Sequence, residues 1–237
     1  MSEAANKVTG GEHPLDHVVW NALNSTQRRF AVGDDRALRF MGSVAPFAGM
    51  ANHEAESFDV LRGLIQEQGS LTLVTPTQVT PPAGFAVTRA AVLVQMVCEG
   101  ELDSNSAEEF VQLTGRDVPE MIALATATQP GPFGTRTIEL GDYYGVQSDG
   151  KLIAMAGERM RLDGFTEISA VCVDDGFRGK GYAANLVKWL VATIRARAET
   201  PFLHVLSTNH AAIALYRRLG FVERREMRLT SLALAEA

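Results

Sequence analysis

With 237 residues, 46% of them hydrophobic, the chain is long enough to bury the core of one large domain or two small ones. A formal net charge of -6 argues against a nucleic-acid partner, which would need a basic face, and taken alone it suits a cationic substrate. Cys98 and Cys172 lie in apolar runs and read as buried free thiols, and no paired Cys and His spacing points to a metal.

Residues 1 to 13 form a polar stretch without an apolar signal core and are expected to be a disordered tail. From Trp20 the segment "WNALNSTQRRF" reads as a helix, "ALRF" as a short strand, "HEAESFDVLRGLIQEQG" as a helix stopped by Gly69, and "SLTLV" as a strand. The three prolines of "TPTQVTPPAGF" exclude a central strand or a helix interior and mark a connector. The chain therefore divides into an αβ lobe over 14–89 and a second region over 90–237.

In the second region "AAVLVQMVC" is a strand candidate, and "SAEEFVQLTG" and "VPEMIALATAT" read as helices. Ser106 and Asp117 are their expected N-caps, with Pro119 in the first turn of the second. "QPGPFGTR" interrupts all regularity, and "DYYGVQSDGKLIAMAGERMRLDGFTEISAVCV" reads as a three-stranded antiparallel meander, since "SDG" and "LDG" are hairpin signals. A helix after Gly181, the strand "PFLHVLS", the helix "NHAAIALYRRLG" and a terminal strand "FVERREMRLTSLAL" complete the chain. The fold class is α/β with a mixed sheet. No run of roughly 18 uninterrupted apolar residues occurs, so no membrane partner is expected and the chain reads as soluble and cytoplasmic.

The stretch "ISAVCVDDGFRGKGYAANLVKWLVATI" carries the most chemistry. Leu186, Val187, Leu190, Val191 and Ile194 fall at helical spacing, so a helix opens at the Gly179 to Ala183 turn. Its first N–H groups and partial positive charge form a phosphate site, which glycines at 179 and 181 leave open and to which Arg178 and Lys180 add charge. Gly179, Gly181 and Ala184 also satisfy the loose dinucleotide pattern G-x-G-x-x-A, but the next strand ends in Ser207, Thr208 and Asn209 without the ribose-binding acid, and the preceding strand is antiparallel.

This stretch resembles the pyrophosphate loop of the GNAT superfamily of acyl-CoA N-acyltransferases: Arg178, Gly181 and Ala183 match its Arg-x-x-Gly-x-Ala motif. "NHAAIALYRRLGF" is similar to a second segment of the same family, in the right order. The resemblance covers Ala90 to about Leu229; the first 89 residues resemble the extra lobe of two-lobed members related to glycine N-acyltransferase.

The resemblance implies a GNAT-like fold with an added N-terminal lobe, acetyl-CoA as acyl donor and an amine as acceptor. Arg178, Gly179, Lys180, Gly181, Tyr182 and Ala183 would hold the diphosphate. Val171, Cys172 and Val173 would pair through their backbone with the pantetheine arm, and an N–H near Val173 would polarise the thioester carbonyl. Tyr216 matches the family's general acid, which protonates the departing thiolate; packing beside Leu215 and Leu219 is the competing reading. Asn209 would cap its helix, contact the cofactor, or both. Glu167 matches the general base of some members; a surface carboxylate or an ion pair with Arg159 or Arg161 is the competing reading, and Glu120, Glu139 and Glu158 are weaker candidates. By strand alternation Glu167 shares a face with Ser169, Val171 and Val173. The five histidines form no recognisable dyad and read as structural or exposed. A non-catalytic acyl-CoA-binding module and a plain interaction protein are the alternatives to an enzyme. A small molecule or a protein N-terminus could be the acceptor, and the first lobe would either shape the acceptor side, cover a sheet edge or contribute to a homodimer.

Overall fold

The apolar runs pair edge to edge into one mixed sheet in the computed structural model, which describes residues 13–100 and 110–235. After a 3-10 turn at Pro14–His17 come α1 (Val18–Asn24), a second such turn at Arg28–Phe30, β1 (Ala31–Gly33), β2 (Ala37–Phe40), β3 (Phe47–Met50), α2 (Ala55–Gln68) and β4 (Leu71–Thr75). The rest of the chain supplies β5 (Phe85–Cys98), β6 (Val111–Leu113), α3 (Val118–Thr128), β7 (Tyr143–Ser148), β8 (Lys151–Leu162), β9 (Phe165–Val173), α4 (Tyr182–Arg195), β10 (Thr200–Leu206), α5 (His210–Arg218) and β11 (Phe221–Leu234).

The strands lie in the order β1-β2-β3-β4-β11-β5-β10-β9-β8-β7-β6. The last strand of the chain thus sits between β4 and β5 and joins both regions through antiparallel ladders, with Ser231 opposite Thr72 on one side and Arg89 on the other. The core beside α1 also crosses the connector: Leu15, Val18 and Leu23 pack with Leu93, Val97, Phe202 and Met227. On the opposite face Leu186, Val187, Leu190 and Ile194 of α4 pack with Ile168, Leu203, Val205 and Tyr216. Among the described residues no helix is long and apolar enough to cross a membrane.

Several elements follow directly from local chemistry. Gly69 takes φ 78° and its N–H reaches the Ile65 carbonyl at 2.8 Å, closing α2 in a backbone conformation that costs other residues more. The meander is antiparallel as its two Asp-Gly turns require. The 3-residue strands β1 and Val111–Leu113, and the 4-residue β3, differ from expectation. "VQL" was expected in a helix. It pairs instead with the edge strand β7, whose open ladder it satisfies while Leu113 turns into the cluster under α3. Ser106 lies outside the described residues. Asp117 precedes α3 without capping it: its carboxylate accepts the Thr114 N–H at 2.7 Å and the Thr114 hydroxyl at 3.0 Å, closing its own turn.

One departure from regular pairing positions the site. Parallel β9 and β10 pair only at Phe165–Thr200, Thr166–Pro201 and Glu167–Phe202. Beyond Glu167 they fork, β9 staying with β8 and β10 with β5.

Candidate active site

The loop after β9 is built by short-range bonds. Asp174 accepts the Gly176 N–H at 3.1 Å, Arg178 pairs with Asp175 at 2.7 Å on the surface, and the Lys180 ammonium lies 4.9 Å from the Phe177 ring centroid. Gly179 and Gly181 take φ 79° and 88°, left-handed values that glycine adopts freely, and a Cβ at either would meet no backbone. Backbone conformation, together with the open space above it, is what these two glycines provide. Gly181 is the N-cap of α4, and the N–H groups of its first turn point out of the helix toward that space. The arrangement fits a diphosphate. Gly181→Glu is expected to abolish coenzyme A binding, because a carboxylate would lie where the phosphates belong; calorimetry on the folded variant checks this, and unchanged affinity refutes the placement.

The free edge of β9 faces the fork. Asp174 donates its N–H to the Ile153 carbonyl of β8 at 2.8 Å, so by alternation the N–H groups of Val173 and Val171 point away from β8, toward the gap left by β10. The alternation of side chains, however, is broken. Ala170 has φ 52°, and the β8–β9 register shifts between Met155 and Gly157. This bulge puts Ile168, Val171 and Val173 on the α4 face while Ala170 and Cys172 turn to α3. The expectation that Glu167 shares a face with Val171 and Val173 is therefore corrected. Burial pushes the Cys172 thiol up to about 11, which keeps it protonated and unreactive. Cys98 is also buried, and its thiol is raised for the same reason.

Through the fork runs a cleft of about 860 Å³. Arg178, Asn209 and Ala212 line one end, Val171 to Val173 and Tyr216 its middle, and Phe47, Thr72 and Arg89 the other. Asn209 caps α5 by accepting the Ala212 N–H at 3.1 Å and also lines the cleft. Tyr216 is buried beside Phe221, ring centroids 5.8 Å apart, and burial pushes its phenol up to about 12. Tyr182 begins α4 and packs on the same cluster as Tyr216.

Glu167 occupies the apex of the fork, fully buried. Arg159 grips its carboxylate in a fork-to-fork pair, Nε to Oε2 at 2.8 Å and Nη2 to Oε1 at 2.7 Å, and His204 Nδ1 lies 2.7 Å from Oε1. Burial alone would raise this carboxyl; Arg159 and His204 outweigh it and hold it at about 2. Glu167 thus forms the ion pair with Arg159 and lies behind Arg159 and His204, which themselves line the cleft. Gln95 Nε2 donates to the Leu15 carbonyl at 2.9 Å and sits 2.9 Å from His204 Nε2. That pattern puts a ring N–H on Nδ1, donating to Glu167, and makes Nε2 the acceptor of the Gln95 amide. The other carboxylates are engaged elsewhere. Glu120 accepts the Leu152 N–H, Glu139 pairs with Arg136, and Glu158 pairs with Arg197.

Sequence reasoning missed His204 and the contributions of β3 and β4, whereas it named Arg159 as an ion-pair partner of Glu167. A histidine in "FLHVLS" reads as core, and its partner is on another strand that meets it only at the fork.

A family model described as FR47-like protein matches residues 143–229, the span holding the meander, the glycine turn and Tyr216. The N-alpha-acetyltransferase RimI of Mycobacterium tuberculosis is 37% identical over 82 residues, covering 33% of this chain and 51% of that protein, so the chain spans about half the length of this curated relative. A GCN5-related N-acetyltransferase from Kribbella flavida shares the fold, with TM-score 0.60 and 16% identity over 93% of this chain and 94% of its own. A solved GNAT-family structure from Novosphingobium aromaticivorans, assigned as an acetyltransferase, is 41% identical with TM-score 0.89 over 95% of this chain and 100% of its own. That match takes in the first region as well as the second, and with the forked strands and the glycine turn it shows that the chain belongs to the GNAT superfamily.

Proposed function

We propose that the chain is an acetyl-CoA-dependent N-acetyltransferase that acts by direct transfer to a primary amine. The observation that carries this reading is the fork: a free strand edge with the Val173 N–H turned into it, bordered on one face by Tyr216 and on the other by His204. Acetyl-CoA supplies the acetyl group as a thioester. Arg178, Lys180 and the turn from Gly179 to Ala183, with Tyr182, hold the diphosphate end. Val171, Cys172 and Val173 pair along the pantetheine arm, and Asn209 borders it.

The Val173 N–H donates to the carbonyl oxygen as negative charge develops there. The amine nitrogen bonds the acetyl carbon while the carbon–sulfur bond breaks. Tyr216 gives its proton to the departing sulfur, and the proton lost by the amine passes to water in the cleft. A carboxyl held at about 2 is a poor proton acceptor at neutral pH, and the Gln95 amide occupies His204 Nε2, so Glu167 acts by holding the His204 ring and Arg159 in place at the fork rather than by taking the proton itself. The lobe over 14–89 contributes Phe47, Thr72 and Val74 to the cleft, which supports its assignment to the acceptor side.

The name of the tuberculosis relative specifies an N-alpha acceptor, so peptides belong in the test. Acetyl-CoA is incubated with a mixed library of small amines and peptides, and thiol release and acetylated products are followed by mass spectrometry. Equal yields of free thiol and N-acetyl product are expected. Coenzyme A binding without thiol release across the library would instead assign the chain as a binding module.

A further inference from the structure

We infer that the acceptor end of the cleft is built for a small amine that also carries a carboxylate, with Arg89 as its counter-charge. This rests on the acetyl-transfer reading above and specifies the acceptor that the reading leaves open.

The floor of that end is a row of cross-strand neighbours. Phe47 of β3 is opposite Thr72 of β4, Thr72 opposite Ser231 of β11, and Ser231 opposite Arg89 of β5. All four line the cleft. The Thr72 and Ser231 hydroxyls are 2.9 Å apart, and the Arg159 guanidinium lies 4.7 Å from the centroid of Phe47. The row therefore has an arginine at each end, two hydroxyls between, and one aromatic face.

The two arginines differ in what they have left to offer. Arg159 is neutralised by the bidentate grip on Glu167. Arg89 is exposed to the cleft, and among the described residues its side chain makes no ion pair or hydrogen bond. No Asp or Glu side chain lines the cleft among the described residues, although the chain as a whole carries a net charge of -6. The global charge and the local charge thus have opposite signs, and a ligand in the cleft meets the local one. A diamine would bring a second cation beside Arg89 with no carboxylate to balance it. A carboxylate would find a planar guanidinium able to donate two parallel bonds and the adjacent Thr72 and Ser231 hydroxyls. With the carboxylate at this row, the amine end extends toward the fork and the Val173 N–H.

The test measures binding and turnover separately. Matched pairs of probes are used: L-alanine with L-alaninamide, β-alanine with β-alaninamide, and γ-aminobutyrate with its amide. Binding to the coenzyme A-loaded full chain is measured by calorimetry, and thiol release from acetyl-CoA in parallel. For at least one pair the carboxylate member is expected to bind about tenfold or more tightly than its amide, the range for a charge-assisted bond. Arg89→Gln should erase that ratio and Arg89→Lys restore part of it, with coenzyme A affinity showing that each variant is folded. Thiol release without any carboxylate preference, or release with linear diamines or peptides but with none of the free acids, overturns this inference and leaves acetyl transfer standing. A carboxylate preference in binding that depends on Arg89, without thiol release, supports the site and overturns the catalytic reading.

Discussion

Tyr216→Phe is expected to lower kcat by about 10²-fold or more while acetyl-CoA affinity stays close to wild type, the range for a lost general acid. The phenol, pushed up to about 12, keeps its proton at every pH at which the protein would be assayed, so it is always ready to donate. A free alkyl thiol near 8.5 would leave the phenol a reluctant donor to the thiolate. Burial changes that comparison, since a sulfur leaving inside the cleft is desolvated too and its thiolate is raised in the same direction as the phenol. Burial therefore moves donor and acceptor in the same direction, which eases the transfer. The phenylalanine keeps the ring packing against Phe221 and removes only the hydroxyl. Single-turnover acetyl transfer is the measurement, because it excludes product release. A wild-type rate for the variant refutes the assignment, as does a limb in the wild-type profile below pH 9 that vanishes with the hydroxyl.

What could be read from the sequence was what is local. Glycines 179 and 181 before an amphipathic helix, two Asp-Gly turns, the proline-rich connector and Asn209 three residues before the amide it caps are all encoded within a few positions, and the structure keeps them. The fork is not local: it exists because β10 leaves β9 after Phe202, and nothing in "PFLHVLS" marks the last paired residue. The bulge at Ala170 inverts the faces of the residues beyond it, so period two led from Glu167 to the wrong neighbours. Short strands such as β1 and β6 carry too few residues to display a period and form only because an edge is waiting for them. The acceptor row was out of reach for the same reason, since Phe47, Thr72, Arg89 and Ser231 meet only when the last strand returns between β4 and β5.

Glu167→Ala is expected to destabilise the protein by about 3 kcal/mol at pH 7, because it strands the partly buried Arg159 without a counter-charge. The folded-state carboxyl stands at about 2, below its ordinary value of 4.5, so its contribution is complete above about 4.5 and is lost as the pH falls toward 2. The gap between wild type and variant should therefore be widest near neutrality and close between pH 4.5 and 2. Denaturant unfolding at pH 7, 5 and 3 measures it, and a gap below about 1 kcal/mol at pH 7 would mean that the Arg159 pair is not coupled to folding. Stability alone does not separate scaffolding from catalysis, since any loss of fold lowers turnover. The double variant Arg159→Met, Glu167→Leu does separate them. Replacing a buried ion pair by apolar side chains of similar volume is often neutral or stabilising, so most of the lost stability should return. Activity should not return, because the His204 ring then has no carboxylate to hold it in place at the fork. A double variant that is both stable and fully active would reduce the cluster at the fork to a structural wedge.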